Sequence, residues 1–91
     1  MGHVAENRSD LLARVRRLAG QVGAIEKALV SDEPCATVLH RVAAVRGAVN
    51  GLLDAVIEDH LTGHVAAPGL SDAERRAGAE ELIAVIRRYA K

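Results

Sequence analysis

Three side chains of this sequence carry metal-binding or nucleophilic chemistry. His60 and His64 stand four apart in EDHLTGHVAAPG, and Cys35, the sole cysteine, follows a proline in SDEPCATVL. Two imidazoles one helical turn apart share a face and can address one ion. A thiol in the first turn of a helix sits at the positive end of the dipole, which favours the thiolate that binds metal. His3, on the N-terminal arm, is a candidate fourth donor. Residue type alone leaves an ordinary reading beside this one, in which the histidines are a surface pair and the cysteine a small apolar filler. The zinc-peptidase pattern HExxH is absent, since Leu61 follows His60 and no glutamate is placed as general base. Cys35 with a nearby histidine is the only pair an enzyme could use, and the chain is read as a non-enzyme.

These residues need helices to hold them. Leu11, Val15, Leu18, Val22, Ile25 and Leu29 recur at alternating spacings of four and three, which predicts a helix from about Ser9 to Val30 packed lengthwise on partners. Gly20 and Gly23 weaken it, and close approach of another backbone would explain them. In SDEPC, Asp32 is expected to cap the next helix and Pro34 to occupy its first turn. That helix should run from Pro34 to about His64 along Val38, Val42, Val45, Val49, Leu52 and Val56, and the same spacing continues to His60 and His64. APGLS ends it. Ser71 and Glu74 form a capping box for a shorter third helix with the stripe Leu82, Ile86 and Tyr89. Residues 1–91 are expected to make one all-helical domain, without linker or repeat.

A second helix of this size is about 45 Å long, more than a compact monomer needs. Two chains side by side, each giving two long helices to an antiparallel four-helix bundle, would bury both seams. The pairing also solves a problem of reach. Cys35 and His60 lie nearly ~40 Å apart along one helix. Head-to-tail crossing of two copies would bring Cys35 of one beside His60 and His64 of the other, giving two equivalent sites per dimer.

Composition fits an oligomer. There is no Phe or Trp and one Tyr, so the apolar content is aliphatic and suits long seams better than one thick core. Lys+Arg and Asp+Glu are both 12, which excludes a polycation. The charges are nonetheless unevenly spread: between Arg8 and Lys27 stand five basic residues and two acidic ones. A lone cysteine makes no intramolecular disulfide, and neither a signal peptide nor a membrane-spanning run is visible. The expected location is the cytoplasm, with no membrane partner.

VRRLAGQVGAIEKAL, CATVLHRVAAVRGAVNGLL and HLTGHV closely resemble the family of small all-helical bacterial repressors that includes the copper sensor CsoR, the nickel/cobalt sensor RcnR and the formaldehyde sensor FrmR. The resemblance covers nearly the whole chain. It implies an all-α, three-helix protomer, a four-helix-bundle dimer and a dimer of dimers. It implies operator DNA as partner, with no helix-turn-helix, and release of that DNA by the effector.

Within such a family the effector follows the ligands. Copper sensors typically offer two thiolates and one imidazole, which favours Cu(I); here His64 matches the second cysteine. One thiolate with three imidazoles, His3, Cys35, His60 and His64, resembles the nickel/cobalt branch, so Ni(II) or Co(II) is the expected effector, with Zn(II) or Cu(I) as alternatives. SDEPC resembles the formaldehyde branch, which typically pairs the thiol with an N-terminal proline amine. Gly2 departs from that pattern but could present a primary amine after loss of Met1. For DNA the candidates are Arg14, Arg16 and Arg17 on the first helix and Arg46 on the second, meeting phosphates and reading shape. Arg14 and Arg17 share a face off the apolar seam. Arg41, Arg87 and Arg88 are weaker candidates, and His40 is assigned no role.

Overall fold

The computed structural model describes residues 8–89, and over that span the protein is all-α. Helix α1 runs Arg8–Val30, α2 Cys35–His64 and α3 Asp72–Tyr89. The expected bounds agree to within a residue or two. The chain forms two compact units, residues 9–54 with α1 and the first part of α2, and the residues from Ala55 onward with the rest of α2 and α3.

The α1–α2 turn differs from expectation. Asp32 does not begin the second helix; it closes the first. Its φ is +57°, in the left-handed region. The Asp32 N–H donates to the Leu29 carbonyl at 3.3 Å and the Glu33 N–H to the Ala28 carbonyl at 2.9 Å. This pair of bonds is a Schellman ending, which satisfies carbonyls left over at a helix C-terminus. Glycine or asparagine usually occupies the left-handed position, and aspartate tolerates it because its short polar side chain bonds locally. Pro34 precedes α2, and its carbonyl accepts the N–H groups of Thr37 at 2.9 Å and Val38 at 3.3 Å. Glu33 then meets Arg41 across the start of α2, 3.7 Å apart.

Both long seams divide the same way. On α1, Leu11, Leu18 and Ile25 are half-buried, whereas Val15, Val22 and Leu29 are exposed. On α2, Val38, Val45 and Leu52 are half-buried, and Val42, Val49 and Val56 are exposed. Packing within one chain takes one edge of each stripe and leaves the other to solvent. Ala28 is the one apolar residue buried among the described residues, at 1% exposure. Gly20 and Gly23 have nothing within 4 Å of where a Cβ would stand. Among the described residues the tight approach falls on another glycine, Gly78.

The third helix starts as its sequence predicts. The Ser71 N–H donates to Glu74 Oε1 at 2.8 Å, and the Glu74 N–H donates to Ser71 Oγ at 3.0 Å. These reciprocal bonds satisfy two free donors at the N-terminus of α3. They also hold the Glu74 carboxyl below its ordinary value of 4.5, first through the Ser71 backbone N–H and then through its hydroxyl.

Candidate effector site and nucleic-acid interface

The last turn of α2 holds His60 and His64 together. Their ring centroids are 4.7 Å apart and the planes tilt by 36°. The four-residue spacing dictates this, because side chains at i and i+4 lie one above the other on a helix. His60 is further tied to α3: its Nε2 donates to the Gly78 carbonyl at 3.0 Å and lies 3.7 Å from Glu81 Oε1. Both partners only accept, so the proton sits on Nε2 and the lone pair on Nδ1.

The backbone around the pair is fixed from both sides. Gly78 is buried against the His64 main chain. A helix-interior glycine costs roughly 1 kcal/mol relative to alanine, and here it is what lets α3 lie on the end of α2. Beyond His64, the N–H groups of Val65 and Ala66 both donate to the Leu61 carbonyl, at 3.1 and 2.8 Å. The Arg75 guanidinium donates to the carbonyls of Val65, Ala67 and Leu70, the last two at 3.4 Å. One side chain thus gathers three carbonyls of the α2–α3 connection. Gly69, at φ +84°, supplies the left-handed residue that this connection needs.

Cys35 is exposed at the first position of α2, and His3 lies outside the described residues. Among the described residues of one chain, no three His, Cys, Asp or Glu side chains converge as a metal site. The structure therefore brings together two of the four candidate ligands.

The candidate DNA-binding arginines divide as well. Arg14 and Arg17 line one cleft of about 220 Å³ with Leu18, Gln21, Gly47, Ala48 and Gly51. The absence of a side chain at Gly51 makes room for Arg14, whose guanidinium would stand 3.4 Å from a Cβ there. Arg16 is exposed on α1 outside this lining. Arg46 lines a different hollow, of about 260 Å³, with Leu39, Val42 and Ala43. It therefore shares the exposed apolar face of α2. Arg41 is engaged with Glu33, and the Arg88 guanidinium stands 5.7 Å from the Tyr89 ring centre.

Reading the sequence alone does not single out Gly78, Glu81 or Arg75. A glycine inside the predicted third helix is the one available signal for Gly78; the other two look like ordinary surface charges.

Comparison with known proteins gives a consistent picture. The signature of the family described as metal-sensitive transcriptional repressor matches residues 7–88. The chain is 46% identical to an uncharacterised protein in the bioA 5′ region of Serratia marcescens, over 91 residues and the full length of both. It is 40% identical to the transcriptional repressor RcnR of Salmonella arizonae, again over the full length of both. A solved structure, a glutamate-to-histidine variant of the formaldehyde-responsive regulator FrmR from Salmonella enterica serovar Typhimurium, superposes with a TM-score of 0.86 at 42% identity, covering 92% of this chain and 94% of that one. No helix among the described residues is long and apolar enough to cross a membrane. With an all-helical fold, a signature spanning nearly all of its length and full-length repressor relatives, the chain belongs to the family of metal-sensitive transcriptional repressors.

Proposed function

We propose that the chain represses transcription as an oligomer bound to operator DNA through its arginines, and that Ni(II) or Co(II) releases it, derepressing efflux genes. The observation that carries the effector assignment is the His60–His64 pair on the last turn of α2, with the His60 Nε2–H engaged by the Gly78 carbonyl. A ligating histidine commonly donates its second ring N–H to a carbonyl or carboxylate, which orients the ring and sets its tautomer. The donor set fits a borderline metal: imidazoles with one thiolate suit Ni(II) and Co(II) better than a thiolate-rich Cu(I) site does. When bound, the ion joins groups that one chain does not bring together.

Those groups come from two copies. Cys35, Leu39, Val42, Arg46, Val49, Leu53, Val56 and His60 follow one another at spacings of four and three along α2. Leu39, Val42, Val49 and Val56 of this stripe are exposed. The pattern reads the same in both directions about a point between Gly47 and Ala48. Laid head to tail on a second copy, it sets Cys35 beside His60 of the partner subunit, with His64 one turn on and His3 supplied by the arm. Two dimers then form the tetramer of the family pattern.

Arg14 and Arg17, gathered at one cleft, are proposed to meet neighbouring phosphates, with Arg16 and Arg46 adding contacts. Ligation favours one pose of the helices over the DNA-competent one, and a coupling of about 1–3 kcal/mol weakens DNA binding roughly 5–150-fold.

The likeness to a formaldehyde-responsive regulator supports a second reading, in which Cys35 and the Gly2 amine, itself outside the described residues, capture an aldehyde. Titrating the DNA complex with Ni(II), Co(II), Cu(I), Zn(II) and formaldehyde separates the two. The Cys35→Ala protein should stay folded and DNA-bound yet unresponsive, and release of its DNA by Ni(II) or Co(II) would remove Cys35 from the site.

A further inference from the structure

The paired histidines stand where α3 crosses the end of α2, and the residue at the crossing has no side chain. A Cβ built on Gly78 would strike the His64 carbonyl oxygen and lie 2.8 Å from its carbonyl carbon and 2.9 Å from its Cβ. No rotamer change relieves such a clash, because the obstructing atoms are backbone and Cβ. The same Gly78 presents its own carbonyl to His60 Nε2 at 3.0 Å. One residue of α3 therefore touches both histidines, one through the space it leaves and the other through the bond it accepts.

We infer that Gly78 is a positioning residue for the effector site, holding His60 in the Nε2–H tautomer so that Nδ1 is the nitrogen offered to the ion. The inference rests on the proposed reading of His60 as a ligand. Glu81 Oε1, 3.7 Å from the same nitrogen, acts in the same sense. Arg75 anchors the arrangement by tying α3 to the carbonyls of Val65, Ala67 and Leu70. Substitution of Gly78 by any residue with a Cβ must push α3 away from the last turn of α2. The His60 proton then loses its fixed acceptor, and the ring samples both tautomers. Partners of this kind behind a ligating histidine contribute about 10–100-fold to metal affinity.

The test uses the full-length protein in four forms: wild type, Gly78→Ala, His60→Ala and Ala77→Gly. Ala77 is exposed one position away, so its change to glycine controls for weakening of α3. Ring ¹⁵N shifts of metal-free wild type should show His60 as the Nε2–H tautomer, and those of Gly78→Ala a mixture. Ni(II) affinity, measured by competition with a chromophoric chelator, should fall about 10–100-fold in Gly78→Ala and stay near wild type in Ala77→Gly. Finding the Nδ1–H tautomer in wild type overturns the inference, and this spectrum decides the matter even where Gly78→Ala does not fold. Unchanged Ni(II) affinity in a folded Gly78→Ala also overturns it, provided His60→Ala has lost binding. Wild-type affinity in His60→Ala instead overturns the metal reading itself.

Discussion

Replacing Val49 by lysine tests whether the exposed stripe of α2 is a seam between copies. In one chain Val49 is 43% exposed, and Leu39, Val42 and Val56 on the same stripe are 64%, 47% and 40% exposed. Complete burial of an aliphatic side chain contributes about 1.5–3 kcal/mol. The exposed fraction of Val49 thus has about 0.6–1.3 kcal/mol to gain on association, or roughly twice that in a symmetric pair. Across the four positions the exposed fractions amount to about two whole side chains per copy, which is ~6–12 kcal/mol for the pair. That is of the same order as the ~4–15 kcal/mol lost in bringing two bodies together. A seam so balanced is sensitive to one change. Loss of the Val49 contribution weakens pairing about 10–70-fold at about 1.4 kcal/mol per decade. The new ammonium adds to this, since Arg46 lies three residues away on the same stripe and no acid accompanies it there. Sedimentation equilibrium should show Val49→Lys dissociating at concentrations where wild type is associated. Circular dichroism at high concentration should show its helices retained. Ni(II) affinity should fall in parallel, because each proposed site draws on two chains. A Val49→Lys protein with wild-type association and wild-type Ni(II) affinity would refute the pairing.

Three further outcomes are expected. Mixing Cys35→Ala chains with His60→Ala chains should restore one intact site per heterodimer, so Ni(II) binding should recover on mixing; its absence places all ligands within one chain. Arg14→Ala or Arg17→Ala should flatten the dependence of log DNA affinity on log salt by about 0.9 for each phosphate contact removed, with Ni(II) affinity unchanged, whereas Arg46→Ala belongs with them only if sedimentation shows its association intact. Glu74 has its folded pKa lowered by the bonds from Ser71, so its contribution to stability is fully present above the ordinary value of 4.5 and is lost as pH falls through the lower folded value; Glu74→Gln should therefore reduce the acid dependence of thermal unfolding in that window, and an identical acid profile would dissociate the capping box from stability.

Much of the fold is legible because its signals are local. Spacings of four and three from Leu11 to Leu29 and from Val38 to Val56 define the two long helices, and Ser71 with Glu74 marks the start of the third. The histidine pair is legible for the same reason, since i and i+4 meet on any helix. Asp32 was harder to place, because an aspartate before a proline suits a helix start, and only the backbone bonds of Ala28 and Leue29 reveal a helix end.

 Gly78 and Arg75 depend on which backbone crosses which, a nonlocal fact that spacing along α3 does not encode. The same holds for Arg46: its neighbours Val45 and Gly47 say nothing of the exposed stripe it shares with Leu39 and Val42.

Ala28 is the one apolar residue buried among the described residues, and this bears on how the protein survives in a cell. The side chains able to keep a lone copy folded are largely the ones that await another copy, so folding and assembly draw on a common reserve. Dilution then acts on this protein as a mild denaturant, and its melting temperature should climb with concentration. Newly made copies stay open to proteases until they meet, and each encounter removes two from that risk. Abundance and lifetime would rise together, giving the population a threshold below which it clears itself and above which it persists.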